Sequence, residues 1–448
     1  MRVSPENYTI RWQIVAVITM VLVLNMVGGA HAQVAQPVPV LDLTGTPLPP
    51  EKLSVAERLH AEDRAVGLRV GSFTLSPTIA AGEEFEQNVF SSHSGAQSDF
   101  ITLVHPAFDL VSDWGLDALA LHGEANVLQY GRFHSENEAQ IVLQSNGRLD
   151  LARGEYLAVG AGYQSLYEPR SSPDSIEAVL LAGGTLAKYP TEYVVETGFL
   201  NYVYGPGPIK FELDNALIDY QFSNEPTTNG GIAINGDRNR TEFTVTPRLG
   251  YEFSPGYQAY VQVSGDRRQY EATYDATPDR LQRTSSGYAA AVGLDFDVNF
   301  AMSGSFYAGY QGQLYDDPRL GTTQGTYFGG SLLWNASDFT SVKLTASRSI
   351  QDTILLGSSG FWDTQAQIAV EHELRPDLLL TGELRIIDSA YQGIPLTDDQ
   401  LGLGFGGVWR LDRDLSVNAS AEWLRQTSNQ ALGGFDQEVM QLSLKLAL

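Results

Sequence analysis

The residues able to do chemistry are few and scattered. The seven histidines are His31, His60, His93, His105, His122, His134 and His372, and no two have the spacing of a helical zinc pair. Cysteine is absent, which removes thiolate metal centres, thiol nucleophiles and disulfides together. His122 comes nearest to a catalytic residue, because Glu124 and Asn126 share its phase in an extended run. It could move a proton or serve a barrel-type hydrolase, but that needs a positioned partner, and no Gly-x-Ser-x-Gly or Gly-Asp-Ser-Leu context supplies one. The favoured reading of His122 is a solvated, inward-facing side chain. No catalytic residue, cofactor or metal site is therefore expected. Acidic residues in the long connections, Asp237, Asp316, Asp317, Asp398 and Asp399, could bind divalent cations that bridge to lipopolysaccharide phosphates, but plain solvated loop charge explains them better.

A second set of charges carries more information. Glu124, Arg148, Lys343, Glu371, Glu383, Arg385, Arg410, Glu422 and Lys445 each fall on the polar phase of an alternating run. Facing lipid, an Arg or Lys at mid-depth would cost about 2–4 kcal/mol, so these groups are expected to face inward and line a pore. Opposite signs on facing walls would set a transverse field; the alternative is that they pair and fill the interior.

Strands must hold such charges, and the runs have a period of two. Leu119, Leu121, Ala125 and Val127 oppose His122, Glu124 and Asn126; Ile141, Leu143, Leu149 and Leu151 oppose Gln144, Asn146, Arg148 and Asp150. Leu415, Val417, Ala419, Ala421 and Trp423 oppose Ser416, Asn418, Ser420 and Glu422. Met440, Leu442, Leu444, Leu446 and Leu448 oppose Gln441, Ser443, Lys445 and Ala447. An apolar strand face at the last residue needs a partner, and closure of a membrane barrel supplies one, with the first strand near Phe73 to Phe85 as that partner. Tight turns alternate with longer polar connections such as Gln87–Ser98, Pro169–Thr191 and Ser223–Asn239, as in an up-and-down barrel with periplasmic turns and outside loops. The fold class is an all-β transmembrane antiparallel barrel of about 18 strands, with 16 as the alternative; a soluble propeller or sandwich fits the alternation poorly. Trp114, Trp334, Trp362 and Trp409 fall near strand ends, where an aromatic girdle belongs.

With 43% hydrophobic residues and a mean hydropathy of −0.14, the 448-residue chain is too polar for a helical membrane protein. Ile14–Val27 is an apolar run behind Arg2 and Arg11, ending in Gly28-Gly29-Ala30-His31-Ala32, so residues 1–32 are expected to be a cleaved signal peptide. Residues 33–67 follow as a proline-rich linker with a capping box at Ser54 and Glu57 and a short helix over Val55–Val66, hanging in the periplasm or plugging the lumen. The barrel occupies 68–448. The formal charge of −25 becomes −26 once the signal is removed, which argues against nucleic acid or an anionic surface as partner.

Two stretches add a resemblance. Val70-Gly71-Ser72-Phe73-Thr74-Leu75-Ser76-Pro77 with Glu86-Gln87-Asn88-Val89-Phe90, and Tyr167-Glu168-Pro169-Arg170-Ser171-Ser172-Pro173-Asp174, resemble the putative β-barrel porin 2 family, as do Pro190-Thr191-Glu192-Tyr193 and Leu374-Arg375-Pro376. The resemblance runs from about Leu68 to the C terminus, and the usual aromatic last residue of such barrels is replaced by Leu448. It implies an outer-membrane location and a non-enzymatic, porin-like role often associated with exopolysaccharide export. Implied partners are membrane lipid and lipopolysaccharide, the outer-membrane assembly machinery, polysaccharide and export-system proteins. Arg170 to Ser175 could form a latch across the mouth, with Arg170 pairing Asp174 or a wall carboxylate; an ordinary turn held by Pro169 and Pro173 is the equal alternative. Three readings stay open: a conduit, a non-conducting assembly platform and, trailing both, a hydrolase.

Overall fold

A computed structural model describes residues 53–58, 65–174, 187–298, 301–430 and 433–448. The expected signal peptide, the proline-rich stretch and residues 59–64, half of the expected Val55–Val66 helix, lie outside those residues. Eighteen long strands close into one antiparallel barrel. In chain order they are β1 (Phe73–Glu86), β2 (Asp99–Ser112), β3 (Ala118–Tyr130), β4 (Glu138–Ala152), β5 (Glu155–Tyr167) and β6 (Glu192–Tyr204). Next come β7 (Ile209–Phe222), β8 (Arg240–Ser254), β9 (Tyr257–Tyr270), β10 (Ser285–Val298), β11 (Met302–Tyr315) and β12 (Thr323–Ser337). The last six are β13 (Thr340–Gln351), β14 (Gly360–Arg375), β15 (Leu378–Gln392), β16 (Thr397–Arg410), β17 (Leu415–Ser428) and β18 (Phe435–Ala447). A three-residue strand, Leu68–Val70, folds back on the start of β1.

Each strand pairs with its sequence neighbours, and β18 returns to β1 from Thr78↔Ala447 to Glu86↔Val439. The closing strand is the one the alternation singles out. Met440, Leu442, Leu444 and Leu446 stand exposed on its outer face, while Val439 and Ser443 on the other phase are buried. Closure pairs every strand on both sides, so ladder hydrogen bonds are satisfied without water, as a bilayer demands, except at the top of the β12–β13 seam.

Tight connections join the strands at the chain-terminal end. Arg153-Gly154 and Pro255-Gly256 are two-residue turns whose glycines have φ of +74° and +79°, a backbone region that glycine enters without strain. The opposite end carries the long loops, apart from 393–396 between β15 and β16, shorter than the polar stretch Tyr391–Asp398 suggests. Trp114, Trp334 and Trp409 stand exposed near the tight-turn end, as a girdle requires. Trp362 does not. It is 5% exposed and packs against Ala291, Tyr327 and Ile350.

Candidate functional site

The interior of the barrel is the candidate site, because the polar phase of the strands converges there. Apolar residues on the other phase, such as Leu249, Val261, Val292, Phe306, Phe405 and Leu442, are exposed outward. The lumen-facing charges pair with one another within a strand, between neighbouring strands and between strands one apart. Lys343 Nζ lies 3.4 Å from Glu371, Arg385 Nη2 donates to Glu422 at 3.1 Å, and Arg148 forks onto Asp150 at 2.8 Å while stacking over Tyr156. Glu383 sits between Ala369 and Gly404 in the same inner layer. Arg410 lies lower than expected, donating to the Pro376 carbonyl at 2.5 Å in the adjacent tight turn, so it belongs to the periplasmic mouth.

His122 has the positioned partner that sequence could not show. Its Nδ1 lies 2.7 Å from Asp109, and Nε2 lies 3.7 Å from Glu124, which in turn sits 3.5 Å from His105. The cluster is a chain of carboxylates and imidazoles, and among the described residues no serine or threonine hydroxyl is hydrogen-bonded to His122. Lys445 faces it from β18 and adds a positive charge to the field of Asp109 and Glu124.

The interior is electrically lopsided. Glu84 and Glu86 on β1 and Glu138 on β4 form an acidic strip. Glu86 accepts from Gln437 at 2.5 Å and from Tyr130 at 3.4 Å, and Glu138 accepts from Gln140 at 2.8 Å. Facing them, β8 and β9 carry Arg240, Arg248 and Arg268. Arg248 pairs with Asp295 and lies over Tyr260 at 3.4 Å, and Arg240 pairs with Glu242 at 2.7 Å. None of these arginines was singled out from sequence. Their signal was there to find, since Arg240, Glu242, Thr244, Thr246 and Arg248 occupy every second position of one strand.

At the periplasmic end, residues 53–58 dock inside the wall. Val55 N donates to Ser341 Oγ at 2.8 Å and Ala56 N to Glu371 at 2.9 Å, while Asn335 donates to the Leu53 carbonyl at 3.2 Å. The Ser54 amide donates to the Glu57 carboxylate at 2.7 Å, one arm of the expected capping box, and a single helical turn is described. Burial pushes the Glu57 carboxyl up, and Lys343 only partly opposes it.

At the outer end the loops fold over the mouth. Arg170 does not pair with Asp174. It forks onto Glu136 of the neighbouring loop at 2.7 and 2.8 Å and donates to the Ala187 carbonyl. Asp174 instead accepts from Thr353 Oγ1 at 2.6 Å and Ile354 N at 3.1 Å, on the loop joining β13 to β14 across the mouth. Arg238 is held by Glu168 at 2.6 Å, both nearly inaccessible. Of the acids considered for cations, Asp398 and Asp399 lie in β16 and not in a loop, and the three in loops are engaged within the protein. Asp316 pairs with Arg267, Asp317 with Arg319, and Asp237 accepts from Ala276 N; among the described residues no cluster suits a metal ion.

The upper end of the β13–β14 hairpin curls inward along its β13 edge, while β14 stays laddered to β15 as far as Gly360↔Gln392. Its ladder with β12 ends at Phe328↔Arg348, although β12 runs on to Thr323 and β13 to Gln351. Above that point Ile350 and Trp362 pack on Ala291 and Tyr327 of the inner surface. The next loop carries Asp352 to Arg268 at 2.6 Å, to Tyr270 Oη at 3.2 Å and to Arg240 at 3.6 Å. Burial alone would raise the Asp352 carboxyl, but Arg268 and Arg240 hold it below the ordinary carboxylate range. Arg283 donates to the carbonyls of Thr353 and Ser358 at 2.5 and 2.8 Å, fixing the tip. Beneath the fold lies a cavity of about 210 Å³ lined by Tyr307, Thr345, Gln365, Gln367 and Arg385.

A closed, 18-stranded barrel with an apolar outside and a charged inside defines an outer-membrane porin-like protein. The chain belongs to the family described as "Putative beta-barrel porin 2", whose profile matches residues 63–448. No curated protein matches the sequence. Among solved structures, OpdO of Pseudomonas aeruginosa is similar at 13% identity, covering 85% of this chain and 98% of its own, with a TM-score of 0.44. The outer membrane protein OpdK of the same organism gives 12% identity, 84% and 98% coverage and a TM-score of 0.43. The FrpB iron transporter of Neisseria meningitidis gives 8% identity and a TM-score of 0.41; 82% of this chain is covered but only 64% of the transporter.

Proposed function

We propose that the protein is a non-enzymatic conduit across the outer membrane for hydrophilic solutes that are neutral or positively charged, with passage of a polysaccharide strand as the specific case. The observation that carries this reading is the inward convergence of paired charges along the whole barrel, which makes the interior wettable while the outer face suits lipid. The acidic strip of Glu84, Glu86 and Glu138 disfavours an anionic polymer. Membrane lipid and lipopolysaccharide surround such a barrel, the assembly machinery inserts it, and export-system proteins would meet its periplasmic mouth. The test is conductance of the purified protein in a planar bilayer with a salt gradient. Steady openings with a reversal potential favouring cations support the reading; anion preference would sink the solute class.

A second reading is a non-conducting platform whose lumen is plugged from the periplasm. The docking of Leu53–Arg58 on Ser341, Glu371 and Asn335 favours it. A silent protein that conducts once residues 33–66 are deleted would establish the plug.

A further inference from the structure

We propose that the upper part of the β13–β14 hairpin, which stays laddered to β15, is a gate whose β13 edge swings between the lumen, where it now rests, and β12, where it would complete the ladder. The proposal rests on the conduit reading above and goes beyond it by naming the moving part.

Three independent features point to two resting places. First, the strands are longer than their pairing. Continuing the register beyond Phe328↔Arg348 would set Tyr327 opposite Ser349 and Thr326 opposite Ile350, and both strands retain extended backbone there. A strand edge left unladdered at this length is a ready partner for its neighbour. Second, the side chains suit both positions. Ile350 and Trp362 occupy the phase that lower on the same strands sends Ile368 and Val370 outward. In the wall they would stand at the outer interface, where tryptophan is favoured; in the lumen they bury against Ala291 and Tyr327. Apolar surface is covered either way, which keeps the two states close in energy. Third, polar contacts bias the inward position. Asp352 binds Arg268, Arg240 and Tyr270, Arg283 grips the Thr353 and Ser358 carbonyls, and Asp174 holds Thr353 and Ile354. Arg240 and Arg268 keep Glu242 and Asp266 as neighbours when the hairpin leaves, so opening strands no arginine without a carboxylate. Packed bistable elements of this kind give discrete states rather than a continuum.

The absence of cysteine allows each position to be trapped. Thr323→Cys/Ser359→Cys replaces hydroxyls whose oxygens lie 3.1 Å apart and should lock the hairpin inside. Thr326→Cys/Ile350→Cys should crosslink only when the upper ladder forms, and Leu332→Cys/Leu344→Cys, a pair already in register, serves as the control that oxidation works. Each variant is first checked for heat-modifiable migration of the folded barrel, then oxidised and placed in a planar bilayer. The expected result is that the inner lock suppresses openings, the wall lock holds them, and reduction reverses both. Adding Asp352→Asn should speed wall crosslinking about tenfold, a bias of about 1.4 kcal/mol. If the wall pair fails to crosslink in both backgrounds while the control forms in a conducting protein, the gate is wrong. Either lock forming without changing conductance is equally fatal to it. Silence in every variant, including one lacking residues 33–66, with both locks formed, would overturn the conduit reading and the gating with it.

Discussion

Introducing an arginine at Leu442 tests the inside–outside assignment where it is most exposed to failure. β18 ends at Ala447, five residues beyond Leu442. At a rise of about 3.4 Å per residue and a tilt of about 40°, Leu442 lies about 13 Å above the periplasmic end of the strand. Half of an apolar band about 25 Å tall is nearly the same distance, so Leu442 is near the bilayer midplane. It is 58% exposed on the outer face. Leu442→Arg should therefore cost about 2–4 kcal/mol, the midplane penalty for a cation in lipid. Leu444 is only about 8 Å up by the same geometry, and Leu444→Arg should cost about half as much. Gln441 points inward in register with Glu84, so Gln441→Arg gains a carboxylate and should be neutral or better. Lys445→Leu, also inward, should lose little insertion. The assay is urea-driven unfolding from lipid vesicles, followed by tryptophan fluorescence and by heat-modifiable gel migration. The order Leu442, Leu444, Gln441 in cost is the content of the prediction. Equal costs for all three, or a larger cost at Gln441 than at Leu442, would refute the facing assignment of the strand on which the closure depends.

Other expectations follow from the two ends of the barrel. Glu57 gains a proton on docking because burial raises its carboxyl, so the N-terminal strap should bind most tightly at acid pH and weaken as pH climbs from about 4.3 through the raised value. Protection of the Val55 and Ala56 amides against hydrogen exchange, corrected for intrinsic rates, reads this, and Glu57→Gln should abolish the pH dependence. Asp352 behaves oppositely: its depressed carboxyl keeps the hairpin contact at neutral pH and surrenders it only as pH falls below about 4 through the lowered value. Channel openings measured over a pH series should rise at that acid end, with Arg240, Arg268, Tyr270, Glu242 and Asp266 as the groups facing the carboxylate. Arg238→Ala leaves the buried Glu168 without its ion-pair partner, with only the Ser172 hydroxyl among the described residues still donating to it, and loosening of the outer loops by about 3–5 kcal/mol should appear as faster proteolysis there while the barrel stays folded.

How much of this was legible in the chain divides along a physical line. Alternation reports which side of a strand meets lipid, and in a barrel that also dictates closure, so β18, its partner β1 and the inward phase of Lys343, Glu371, Arg385 and Glu422 could be read from Met440 to Leu448 and runs like it. Pairings between distant loops leave no periodic trace. Arg170 meets Glu136 rather than Asp174, and Asp174 meets Thr353, because loop closure brings together residues that no local spacing relates. Trp362 is the instructive case. Its phase and its place near a strand end assign it to the interfacial girdle, and that assignment follows soundly from the alternation of β14. The structure buries it because the upper β13 edge has parted from β12 and curled inward with β14 beside it, a position held by Asp352, Arg268 and Arg283, which lie on three separate elements. Local pattern thus describes Trp362 as it would sit in a complete wall, and long-range ion pairing decides where it rests. A residue whose pattern and position disagree in this way marks the part of a uniform barrel most able to move.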